Sequence, residues 1–180
     1  MSSDKEFRLS ATSYAVLGFV RYLGEATPYD LKRFLERSIE NFWPVPHTTF
    51  YAEPTRLAGA GYLTESQESG GRRRKTYKIT EKGERALDEW VAVTDGVAMP
   101  QLRDEGLLKV FFGSDPGPIL RDRIRWHRAK QAELEGYLED VQARGEGALT
   151  GPERTLRAGI RYHRALAEAA EEYLDQVGGG

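Results

Sequence analysis

Five cations, Arg72, Arg73, Arg74, Lys75 and Lys78, fall within seven residues that contain no carboxylate. They follow Gly70-Gly71 and run into the alternating segment Thr76-Tyr77-Lys78-Ile79-Thr80, a pattern that predicts a hairpin with a cationic tip. A surface of that kind neutralises phosphates and releases their counterions, so its natural partner is a nucleic acid. The same run would also serve as a solvated basic loop or bind an acidic protein. A second group, His47, Thr48, Thr49 and Tyr51, follows Pro46 at the expected start of a helix. Polar side chains placed there reach base edges or phosphates. His127 and His163 form a third group, since imidazoles titrate near neutrality and bind metals. With no carboxylate or thiol at ligand spacing beside them, they read as polar residues that fix the register of a helix pair.

Composition narrows the classes. The chain has 180 residues, 39% of them hydrophobic and 30% charged, which suits a globular protein with a real core. It contains no cysteine, so thiol catalysis, disulfides and cysteine-ligated zinc are excluded. No apolar run reaches the roughly 20 residues that span a bilayer, and the polar start Met1-Ser2-Ser3-Asp4-Lys5-Glu6 is unlike a secretory signal. The expected location is the cytoplasm. No nucleophile–base pairing, phosphate loop or metal spacing argues for an enzyme, and no cofactor is implied. Charge is divided evenly: residues 1–92 carry 14 Lys/Arg against 13 Asp/Glu, and residues 93–180 carry 12 against 15. Nucleic-acid binding must therefore come from local patches rather than from a basic body.

Helix signals organise the first half. Tyr14, Leu17, Val20 and Leu23 recur at three- and four-residue spacing before Gly24, giving a helix from Leu9 to Leu23 with a glycine stop. Thr27-Pro28 with Asp30 in the first turn starts a second helix through Leu31, Phe34, Leu35, Ile39 and Phe42. Trp43-Pro44-Val45-Pro46 breaks it. A third helix runs from near His47 through Phe50 and Leu57 to Gly61, and Pro54 inside it calls for a kink or a later start. Residues 62–68 and 75–79 form the two strands, with Tyr77 packed beneath the hairpin, and Thr80-Glu81 caps a fourth helix containing Leu87 and Trp90. Lys32 and Arg33 fit either a backbone contact or an exposed helix face. Three helices, a hairpin and a further helix make the winged helix-turn-helix arrangement.

Several ordered segments then resemble the PadR family of bacterial transcriptional regulators. They are Tyr29-Asp30-Leu31-Lys32, Phe42-Trp43-Pro44-Val45, Phe50-Tyr51, Leu57-Ala58-Gly59-Ala60-Gly61-Tyr62-Leu63 and Arg74-Lys75-Thr76-Tyr77-Lys78-Ile79-Thr80-Glu81-Lys82-Gly83. The likeness continues through Leu102-Arg103-Asp104-Glu105 and Leu107-Leu108-Lys109-Val110-Phe111-Phe112-Gly113. What the resemblance implies is a dimer joined by C-terminal helices, which sets the spacing of two DNA half-sites. It also implies control by a small, often aromatic effector, for which Phe112, Trp126 and Tyr162 are candidate pocket residues.

In the second half a short helix is expected from Leu102 to Phe112, then a linker Gly113-Ser114-Asp115-Pro116-Gly117-Pro118, then two long helices separated by residues 145–152. The two helices are related: Ile124-Arg125-Trp126-His127-Arg128-Ala129 matches Ile160-Arg161-Tyr162-His163-Arg164-Ala165 at an offset of 36 residues. Both carry a seam at four- and three-residue steps, Leu120, Ile124, His127, Gln131, Leu134, Leu138, Val141 and Leu156, Ile160, His163, Ala167, Ala170, Leu174, Val177. Soluble monomers avoid long apolar stripes, so Leu120, Ile124, Leu134, Leu138, Val141, Leu156, Ile160 and Leu174 are read as dimerisation residues.

The expected fold is mainly α with a small β-hairpin: a winged helix-turn-helix domain over residues 1–95 and a C-terminal helical dimerisation region over 96–180. The expected function is sequence-specific binding to a pseudo-palindromic operator in double-stranded DNA, as a dimeric repressor. The alternative is a protein-interaction module whose basic wing holds an acidic partner.

Overall fold

The structure, a computed structural model, describes residues 7–40, 42–46, 48–67, 74–97, 99–143 and 151–178. Residues 1–36 with 43–97 form one compact unit, and 37–42 with 98–180 form a second.

The first unit begins with α1 (Ala11–Leu23), entered through a capping box in which Ser10 and Ser13 satisfy each other's backbone N–H groups. Its core face is Val16, Leu17, Phe19 and Val20, and Gly24 ends it with a left-handed φ of 74°. α2 (Pro28–Glu36) is capped reciprocally: Asp30 accepts from the Thr27 backbone N–H at 3.0 Å, and the Thr27 hydroxyl accepts from the Asp30 N–H at 3.2 Å. It buries Leu31 and Leu35 and stops at Glu36, short of the expected end near Phe42. Ser38 and Ile39 are weak helix formers, and a turn bond from Phe42 N–H to the Ile39 carbonyl replaces the helical ladder.

α3 (Thr49–Gly59) starts two residues after His47 and runs through Pro54, which is buried with Phe50 and Leu57. β1 (Leu63–Gln67) pairs antiparallel with β2 (Lys75–Ile79), Leu63 opposite Ile79 and Gln67 opposite Lys75. The turn predicted at Ser69-Gly70-Gly71 lies outside the described residues. Tyr77 in β2 also exchanges both backbone hydrogen bonds with Ala26, fastening the hairpin to the α1–α2 connection. α4 (Glu81–Ala92) is capped by Thr80, whose hydroxyl accepts from Gly83 N–H and donates to the Gly61 carbonyl at 2.8 Å. Gly83 is required by contact, because a Cβ there would collide with the carbonyl oxygen of Tyr62. The C-terminal part of α4 returns to α1, with Trp90 stacked on Tyr14 and Asp88 2.6 Å from Arg21.

In the second unit α5 (Glu105–Phe111) is shorter than predicted, because Asp104 caps it by accepting from Leu107 N–H. Asp104 also pairs with Arg123 of α6. α6 (Pro116–Ala143) begins inside the predicted linker. Pro116 and Pro118 both sit in its first turn, where a missing N–H leaves no ladder bond broken. α6 and α7 (Gly151–Gly178) run antiparallel: Gln142 near the end of α6 meets Glu153 near the start of α7, Glu135 meets Arg164, and Arg128 meets Glu171.

This pairing alters the reading of the seams. Leu134, Leu156 and Ile160 form one buried cluster flanked by Tyr137, Leu138 and Val141. Leu120 is also buried, while Ile124 and Leu174 are half-buried. Leu134, Leu138, Val141, Leu156 and Ile160, assigned to contact between copies, pack together within one chain. The heptad spacing identified an apolar face correctly, and the neighbouring helix covers it.

Candidate nucleic-acid interface

α3 divides cleanly by face. Phe50, Pro54 and Leu57 point into the core, whereas Thr48, Tyr51, Ala52 and Thr55 are exposed, Tyr51 by 60%. Those positions lie on one side of the helix at three- and four-residue steps. Thr48 occupies the cap position without a side-chain cap bond and is exposed, and Thr49 is half-buried. His47 falls outside the described residues, as do Arg72 and Arg73.

Tyr77 joins this helix to the hairpin. Its ring is buried, its hydroxyl donates to Glu65 Oε2 at 3.0 Å, and the Thr55 hydroxyl lies 3.0 Å from the Tyr77 hydroxyl oxygen. Burial pushes the Tyr77 hydroxyl above its ordinary pKa. The described wing cations all meet carboxylates. Lys75 Nζ lies 2.7 Å from Glu65, Lys78 Nζ 3.0 Å from Glu25, and the Arg74 guanidinium 3.5 Å from Asp30. The hydrogen bond from Lys75 holds Glu65 below the usual carboxylate range and raises Lys75 in turn. Glu25 is lowered by hydrogen bonds from Thr76 and then Lys78. Burial works to raise Asp30, but the Thr27 hydrogen bonds and the neighbouring Arg74 and Arg33 outweigh it. Sequence reasoning missed these three carboxylates, because they come from the α1–α2 connection, α2 and β1. Glu65 alone was legible, as a diagonal cross-strand neighbour of Lys75 once the register is known. Lys32 pairs along its own helix with Glu36, and Arg33 lies over the Tyr29 ring.

In the second unit the histidines meet, His127 Nδ1 standing 2.9 Å from His163 Nδ1. His163 is 1% exposed, and its Nε2 has no hydrogen-bond partner. Burial lowers both imidazole pKa values, helped by Arg123 for His127, and by His127 and Lys130 for His163. Trp126 and Tyr162 stack edge-on against His163 from exposed positions, and Phe112 packs on Phe111 with 77% of its own surface exposed. The described contacts thus bring two of the three candidate pocket aromatics together around His163. Among the described residues no group of three or more His, Asp or Glu could hold a metal ion, and no helix is long and apolar enough to cross a membrane.

Helices α1–α3, the two-stranded hairpin and α4 define a winged helix-turn-helix unit, here followed by a helical region. Residues 16–89 match the Transcriptional regulator PadR-like family, and residues 102–177 match Virulence activator alpha C-term. Over residues 16–89 the chain is therefore similar to PadR-like transcriptional regulators. Its fold is similar to that of Bacillus subtilis PadR solved in complex with operator DNA, at 23% identity, a TM-score of 0.79, and coverage of 94% of this chain and 99% of that one. Bacillus subtilis PadR in complex with p-coumaric acid matches at 23% identity and TM-score 0.73, over 92% and 94% of the two chains. The Vibrio cholerae virulence activator AphA matches at 23% identity and TM-score 0.62, over 93% and 98%. A comparison with curated proteins gave no match.

Proposed function

We propose that this chain is a repressor that binds a pseudo-palindromic operator as a homodimer in the cytoplasm and is released by a small aromatic effector. The reading rests on the outward face of α3, Thr48, Tyr51 and Thr55, held beside a cationic hairpin through Tyr77. His47, Thr48, Thr49 and Tyr51 are assigned to the major groove, and Arg72, Arg73, Arg74 and Lys75 to backbone or minor groove. That a Bacillus subtilis relative was solved with operator DNA supports operator binding, and that it was solved with p-coumaric acid supports an aromatic effector, which is assigned to the neighbourhood of Trp126 and Tyr162. Because the centre of the α6–α7 seam packs within the chain, contact between copies is assigned to the exposed apolar side chains of α5 and its C-cap, Leu107, Leu108, Phe111 and Phe112. Residues 1–95 then carry DNA recognition, and 96–180 carry dimerisation.

The test is a titration of duplexes from the region upstream of the coding sequence against a random duplex. Thr48→Ala and Tyr51→Ala should each weaken operator binding by about 1–3 kcal/mol and relax sequence preference. Equal losses on both duplexes would remove these residues from base reading. Retention on an acidic protein surface, with no preference for an inverted repeat, would favour the interaction-module reading.

A further inference from the structure

The described cations of the wing are already engaged. Arg74, Lys75 and Lys78 each lie within 3.5 Å of a carboxylate, and the three carboxylates, Asp30, Glu65 and Glu25, belong to three different elements of the same unit. A carboxylate offers an ammonium or guanidinium the same kind of anionic oxygen acceptor as a phosphate does. All six side chains are partly exposed, so the pairs are screened and readily broken. Resting on the DNA-binding reading above, we propose that Glu25, Asp30 and Glu65 are specificity-determining residues that occupy the wing cations in place of phosphate and so select against random duplex.

The physics is an exchange of partners. A free lysine that meets DNA displaces a condensed counterion and gains its release. A lysine held by a carboxylate must first leave it, and the carboxylate is then left beside a polyanion. Random duplex offers almost nothing except that electrostatic gain, so it loses the larger share of its affinity. An operator adds base contacts from α3 that the carboxylates do not oppose. On an operator α3 fixes the register, so the wing need not exchange partners there, whereas on random duplex that exchange is the binding; the cost falls on random duplex and raises the ratio of the two affinities.

Glu65→Gln is the sharpest probe, because its amide oxygen still accepts from the Tyr77 hydroxyl while the charge facing Lys75 is gone. Asp30 is left intact because it caps α2. Glu89→Gln on α4, an exposed carboxylate on the same unit, makes the same change in net charge. Binding is followed by fluorescence anisotropy on the upstream duplex that binds best in the titration above and on a random duplex of equal length, across a salt series. Glu65→Gln should raise affinity for random duplex roughly threefold to tenfold and steepen its salt slope by about one unit, with a smaller gain on the operator. Glu25→Gln should act in the same direction through Lys78. In a Lys75→Ala background Glu65→Gln should have no effect on the slope. Equal effects of Glu89→Gln and Glu65→Gln, or an undiminished effect without Lys75, would overturn the proposal while leaving DNA binding intact. A wild-type chain that binds neither duplex at low salt would remove the functional reading and this inference together.

Discussion

The histidine pair at the middle of α6 and α7 makes stability depend on pH in a calculable direction. With the Nδ1 atoms 2.9 Å apart, one must donate and the other accept, so the contact cannot hold a proton on both. The charged groups facing the pair are Arg123, Lys130 and Glu133 of α6; the two cations oppose protonation, and Glu133 weakly favours it at His163. Burial is the larger cause and lowers both pKa values. In the unfolded chain both imidazoles titrate near the ordinary value of about 6.5. Below that pH the unfolded chain binds more protons than the folded one. The contribution is therefore fully present above about pH 6.5 and is lost as pH falls toward the depressed folded values. The limiting slope is about 1.4 kcal/mol per pH unit for each histidine, so about 2.7 for the pair. Replacing both, as His127→Leu/His163→Leu, also removes the orphan Nε2, whose burial costs about 1–3 kcal/mol. Urea unfolding would be followed from pH 5 to 8 by Trp126 fluorescence, with Trp43 and Trp90 changed to Phe. The paired histidines should give a stability that falls steeply below pH 6.5, and the leucine variant a flatter curve. Parallel curves would refute the reasoning.

Two further outcomes test the packing. Gly83→Ala gains about 1 kcal/mol in helix propensity but drives a methyl into the Tyr62 backbone, so thermal unfolding should show a net loss of about 1–3 kcal/mol. Leu134→Ala empties the centre of the α6–α7 cluster and should cost about 2–5 kcal/mol, read by denaturant titration, without altering the winged-helix unit's circular dichroism.

Most of the first unit was legible because its signals are local. Gly24, Thr27-Pro28-Asp30 and Thr80 each solve a helix-end problem within a few residues, and the structure uses each of them at that end. The α2 terminus was misjudged because Ile39 and Phe42 prolong the apolar period beyond the last helical turn. Asp104 was a readable cap that the apolar run after it obscured. The seam residues were found correctly as a face. What covers a face is a question of tertiary pairing, which periodicity does not answer, and here the answer was the adjacent helix. Glu25 and Asp30 were invisible beside the wing for the same reason, since they reach Lys78 and Arg74 only through the fold.

The antiparallel pairing of two similar helices has a geometric consequence. It gives the α6–α7 hairpin a local pseudo-twofold axis, and the residue pair at its centre, His127 and His163, occupies equivalent positions in the repeat. An isologous contact asks both sides to present the same group. A single hydrogen bond between two identical rings cannot comply, because its one proton resides on one nitrogen. The backbone and apolar contacts on either side are indifferent to which ring holds it, whereas Arg123, Lys130 and Glu133 are not duplicated across the axis. The hairpin therefore carries a one-proton asymmetry at its point of highest symmetry, and α6 and α7 become chemically distinct helices there although their sequences nearly repeat.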